Sequence, residues 1–132
     1  MNYAKFLEQV RHVRNDHVRT DTPDYTEIVI PKTSLADMEK VMGQFLGPPA
    51  KPLGQKPAPE HLALTDKYGG IRPDQILYVH SEREDGVLVM FWPWGNGLLI
   101  TVKIFHGNFS LGPDKTQGLL GRIFKRISDA QE

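Results

Sequence analysis

Three strand-like runs follow one another closely: "QILYVHS" (75–81), "VLVMFWP" (87–93) and "LLITVKIF" (98–105), with Asp85-Gly86 and Asn96-Gly97 between them. Runs rich in β-branched and aromatic residues form strands. Asp-Gly and Asn-Gly favour two-residue hairpin turns because both members of the pair tolerate φ above zero. The runs therefore predict a three-stranded antiparallel meander, and no other feature limits the fold as much. Centring each turn on its glycine pair sets Trp92 opposite Thr101 and Val79, and Trp94 opposite Leu99 and Leu77.

Alternation along each strand then divides the side chains between two faces. One face holds Ile76, Tyr78, His80, Val87, Val89, Phe91, Leu98, Ile100, Val102 and Ile104. The other holds Leu77, Val79, Ser81, Leu88, Met90, Trp92, Trp94, Leu99, Thr101, Lys103 and Phe105, and so carries both tryptophans of the chain. An antiparallel sheet with one wet face alternates apolar and polar residues. Here both faces are apolar, so the tryptophan face needs a cover. A helix, the linker described next, a second copy of the chain or a ligand could supply it.

The remaining segments supply the other elements. Tyr3, Phe6, Leu7, Val10 and Val13 recur at helical spacing and predict a helix over residues 2–14 or a little beyond. "NDHVRTDTPD" breaks that pattern, and "YTEIVI" (Tyr25 to Ile30) predicts a short strand near an edge, stopped by Pro31. "TSLADMEKVMGQFLG" predicts a second helix, with Thr33 or Ser34 as cap, Asp37 three residues after Ser34, and Gly47 at its close. The segment 47–60 contains five prolines and reads as a stiff extended connector; its Pro49–Pro52 PxxP spacing is common by chance. "GPDKTQGLLGRIFKRIS" predicts a third helix, with Leu119, Leu120, Ile123, Phe124 and Ile127 on one side. The expectation is a single α+β domain over 1–132 with an internal Pro-rich linker at 47–60. Its antiparallel sheet is a three-stranded meander plus one further short strand, packed by three helices.

Composition narrows the function classes. Sixteen Lys and Arg balance sixteen Asp and Glu among 132 residues, which argues against an overall pull towards nucleic acid or an anionic membrane. With no cysteine there is no disulfide, thiol nucleophile or thiolate metal site. The N-terminal residues lack the continuous apolar run of a secretory signal, and the apolar stretch from Val87 to Phe105 is too interrupted to span a membrane. A cytoplasmic protein without membrane contact is the expectation.

No nucleophile elbow, phosphate-binding glycine loop or dinucleotide fingerprint is present, so no catalytic residue and no cofactor is assigned. No metal site is assigned either. His12 and His17 are five residues apart, off the helical repeat of ligand pairs, and the meander register separates His80 from His106 by roughly 13 Å. The leading expectation is a non-catalytic binding or assembly domain. It would meet a protein partner, or its own copy as a homodimer, through Trp92, Trp94, Met90, Leu99, Thr101 and Lys103. An alternative is binding of single-stranded nucleic acid or a phosphate ligand. The tryptophans and Lys103 would act there with two basic sets, Arg11, Arg14 and Arg19, and Arg122, Lys125 and Arg126. Cations at the C-terminal end of a helix also have a plain structural role, because they complement its dipole. A small enzyme with an unlocated site is the third alternative.

Overall fold

The computed structural model describes residues 1–83 and 85–109. The predicted third helix, with Arg122, Lys125 and Arg126, lies outside the described residues. Within them the chain runs α1 (Tyr3–His12), β1 (His17–Thr22), β2 (Tyr25–Pro31), α2 (Leu35–Leu46), α3 (Pro59–Thr65), β3 (Ile76–His80), β4 (Gly86–Pro93) and β5 (Leu99–Gly107). The fold is α+β. All five strands join one antiparallel sheet in the order β1-β2-β5-β4-β3.

The sheet has one strand more than the sequence predicts. "HVRTDT", which the pattern marks only as a break after the first helix, forms β1, and Pro23-Asp24 turns the chain into β2. Pro presets φ at the second position of a type I turn and Asp suits the position after it. The Tyr25 amide then donates to Thr22 Oγ1 at 3.1 Å. The register slips between Val18 and Thr20, leaving a bulge at Arg19.

Two turns differ from expectation. The β4–β5 pairing sets Trp92 opposite Thr101, as predicted. Yet the turn is wider than two residues, since the Gly97 amide reaches Trp94 O at 3.1 Å and Gly97 takes φ +73°. Gly95 and Asn96 are therefore central, with Gly97 as a left-handed bulge residue. Leu98, expected on the core face, is 67 % exposed because the ladder ends before it. Between β3 and β4 the pairing is Tyr78 with Val89 and His80 with Val87, four positions from the predicted register. Asp85-Gly86 is not the turn centre, because Gly86 already belongs to β4. Four is an even number, so each side chain keeps its predicted face.

The first face therefore carries the main core. Ile76, Tyr78, Val87, Val89, Phe91, Ile100, Val102 and Ile104 pack with Phe6, Leu7 and Val10 of α1 and Met38, Val41 and Met42 of α2. Ser34 is half of the predicted capping box, but its hydroxyl instead donates to Arg14 O at 2.8 Å and ties the start of α2 to the chain after α1. Gly47 closes α2 at φ +85°, as its position predicts.

The second face is covered by residues 47–75. Leu77, Leu88 and Met90 are fully buried there, packed with Ala50, Leu64, Tyr68, Ile71 and Phe109. The Pro-rich segment is thus not a bare connector. Lys51 bridges Leu77 on the free side of β3, with its amide on Leu77 O at 3.2 Å and Leu77 N–H on Lys51 O at 3.0 Å. The Lys51 side chain is fully buried, and its ammonium donates to the carbonyl oxygens of Pro52 (2.7 Å), Pro73 (3.0 Å) and Gln75 (2.5 Å). Three donors meet three acceptors, which is the full capacity of an ammonium group. Burial lowers its pKa, and the Asp74 charge partly opposes that shift.

Lys51→Met would leave three carbonyls without their donor. We expect a loss of about 3 kcal/mol in urea denaturation. Alkaline pH is a second test. Burial, aided by the Glu39 charge, pushes Tyr78 up to about 12, and burial also raises Tyr3 and Tyr25. A raised folded-state pKa contributes stability that is complete below the unfolded value near 10 and is lost as pH rises towards the folded value. Unfolding free energy should therefore fall between pH 10 and pH 12, and Tyr78→Phe should reduce the slope.

Candidate functional site

Of the six residues singled out from the meander, Met90, Trp92, Trp94, Thr101 and Lys103 meet on the second face, whereas Leu99 lines a pocket with Ile76, Phe91 and Ile100. Met90 pairs with Lys103 and Trp92 with Thr101, while Trp94 folds back so that its Nε1 donates to Thr101 Oγ1 at 2.8 Å. Met90 and Thr101 are buried, Trp92, Leu99 and Lys103 are half-buried, and only Trp94 counts as exposed, at 37 %. Trp92 lies under the 47–75 cover, and its ring edge faces Gly69 so closely that a Cβ there would fall 2.6 Å from it. The Lys103 ammonium sits over the ring, 3.5 Å from its centroid. Such a cation is held by the negative face of the π system. That ring face is thus already occupied within the chain, and a base stacking on it would have to displace the ammonium.

Electrostatics around Lys103 are also closed internally. Its register neighbour on β2 is Glu27, which accepts a hydrogen bond from the Tyr25 hydroxyl and forms an ion pair with Arg19 at 3.2 Å. Burial lowers the Lys103 pKa, the Glu27 charge raises it, and Arg19 lowers it again. Burial and the hydrogen bond to Glu27 together hold Tyr25 protonated well above its ordinary range.

The predicted basic set is divided. Arg11 of α1 makes a bidentate contact of 2.7 Å to both carboxylate oxygens of Asp21, and Arg19 turns to Glu27. Arg14 lines a shallow groove between α1 and α2 with His12, Lys40 and Asp37. The three arginines do not form one patch.

The histidines are closer in register than predicted. His80 and His106 both pair with Val87, from opposite sides of β4, which puts them about 10 Å apart instead of 13 Å along the strands. His80 meets Glu82 at 2.8 Å, and His106 meets Asp85 at 3.0 Å while its ring stacks on Tyr3 at 3.7 Å. Among the described residues no group of three or more His, Asp or Glu side chains is arranged to hold a metal ion.

The sequence pattern gives no sign of an apolar pocket that the structure contains. At the β4–β5 hairpin end of the sheet, Leu35, Leu53, Ile76, Phe91, Pro93, Leu99 and Ile100 line a pocket of about 230 Å³. Lys32, Asp74 and Gly97 complete its wall. Leu53 is 59 % exposed, and Leu98 stands between two lining residues. Trp94 projects from the opposite face of the same hairpin. The wider turn built on Gly97 leaves Leu98 outside the ladder, and Leu53 arrives because Lys51, two residues earlier, is fixed beside β3. Long-range contacts, the Lys51 bridge and the Gly54 amide on Pro73 O at 2.8 Å, hold Leu53 here, so no local pattern shows it.

No protein family model, no curated protein and no solved structure matches this chain.

Gly69→Ala tests the cover over Trp92. It puts a methyl into the indole edge and an L-residue at φ +104°, so a loss of about 3 kcal/mol is expected in urea denaturation. Intrinsic fluorescence should shift in the same variant before global unfolding, since Trp92 would be pushed away.

Proposed function

We propose that the chain is a non-catalytic binding domain that engages an apolar side chain of a protein partner, or of a second copy, at the hairpin end of its sheet. The observation that carries this is the 230 Å³ apolar pocket with Leu53 and Leu98 exposed beside it. Exposed apolar residues clustered next to a concave apolar surface mark contact sites, whereas isolated ones do not. The tryptophan set contributes through Trp94 on the other face of the same hairpin. Trp92 acts as a prop under the cover.

Binding of single-stranded nucleic acid has less support from the geometry. Lys103 is held over the Trp92 ring, Arg11 by Asp21 and Arg19 by Glu27, so these cations have internal partners.

Nile red, a neutral apolar dye, provides the test. The native protein should enhance its fluorescence, and Leu53→Asp combined with Leu98→Asp should abolish the effect. Both positions are exposed, so stability should change by only about 0.5 kcal/mol each. Sedimentation velocity on the same pair separates the two kinds of partner: a wild-type dimer that becomes monomeric in the variant identifies a second copy. A native protein that leaves Nile red dark would sink the proposal.

A further inference from the structure

The pocket wall is apolar, but the charge at its mouth is not balanced. Lys32 lines it and makes no ion pair among the described residues. Asp74, the one anion of the wall, faces Arg72 at 3.3 Å and also acts on the buried Lys51 ammonium. Among the described residues Asp74 is thus engaged by Arg72, while Lys32, with no ion pair of its own there, borders the apolar space. We infer that the group this pocket receives is an apolar side chain of a partner protein with a carboxylate beside it: the side chain fills the pocket and the carboxylate meets Lys32. This rests on the binding role proposed for the hairpin end.

Size and polarity agree with that occupant. A dry cavity of about 150 Å³ accommodates benzene, so 230 Å³ has room for a phenyl ring or branched aliphatic chain with one or two further carbons. Apolar burial supplies the attraction, while the Lys32 ammonium, in open solvent, supplies mainly a preference between charges. A partner segment with a basic residue at the same place would meet like charge and be disfavoured.

The minimal probes are 3-phenylpropionate, which is phenylalanine without its amino group, and its neutral amide. Amide chemical shifts of the ¹⁵N-labelled full chain would be followed during titration of each. Both should perturb Gly97, Leu99 and Ile100, with the acid binding more tightly. Lys32→Glu, at an exposed position, should weaken the acid about tenfold and leave the amide unchanged, because a modest attraction becomes a comparable repulsion. Equal binding of acid and amide, or an acid affinity indifferent to Lys32→Glu, overturns the carboxylate inference while the apolar contact stands. Perturbations that map elsewhere, or none with either probe, overturn both.

Discussion

A sheet with two apolar faces can stay in water only if each face is covered, and here the two covers are built differently. α1 and α2 supply the first with amphipathic stripes. The second comes from residues 47–75, in which only the short α3 and a turn of 3-10 helix are regular. A cover of that kind has few backbone hydrogen bonds of its own, so something else must hold it in place. The Lys51 ammonium does so by gathering carbonyls from both sides of the segment: Pro52 at its start, and Pro73 and Gln75 at its end. Removing an ammonium ion from water is costly, and three carbonyl dipoles at hydrogen-bond distance compensate without a buried carboxylate. The position of Leu53, the protection of β3 and the burial of Trp92 all follow from that clamp.

Most of the sheet was legible because its signals are local. Alternation assigns the paired residues of β3, β4 and β5 to their faces despite a different β3–β4 register, because the shift is an even number of residues; Leu98 and Leu99, beside the wider turn, depart from it. That shift has a definite cause. Asp-Gly reads as a turn centre, whereas Gly86 is the first residue of β4, where a Cβ would fall 2.6 Å from Gly107 O. The glycine is there for close approach of the backbones. β1 was missed for another reason: its charged and threonine-rich residues give no apolar alternation, since it is an edge strand with little to bury. Thr-Pro-Asp-Tyr was the available sign of the hairpin.

The candidate site was less legible than the fold. Residue types marked the tryptophans correctly as unusual, and the register brought Trp92, Thr101, Met90 and Lys103 together. What composition could not convey was occupancy: the Trp92 ring faces an ammonium from its own chain, and Gly69, twenty-three residues earlier, closes its edge. The apolar pocket depends on residues from α2, the linker and three strands, which only the folded chain assembles. A pattern search along one segment has no access to such a place.

The two margins of the sheet have a consequence for how the molecule can associate. On one side the Lys51 bridge already occupies part of the β3 edge. On the other, β1 carries a bulge at Arg19, and its Arg19 and Asp21 side chains are engaged by Glu27 and Arg11. Regular ladders grow only from straight, unencumbered margins. Lateral growth into fibres or continuous sheets is thus disfavoured at both sides, by a bridge that interrupts one margin and by a bulge and charge that interrupt the other.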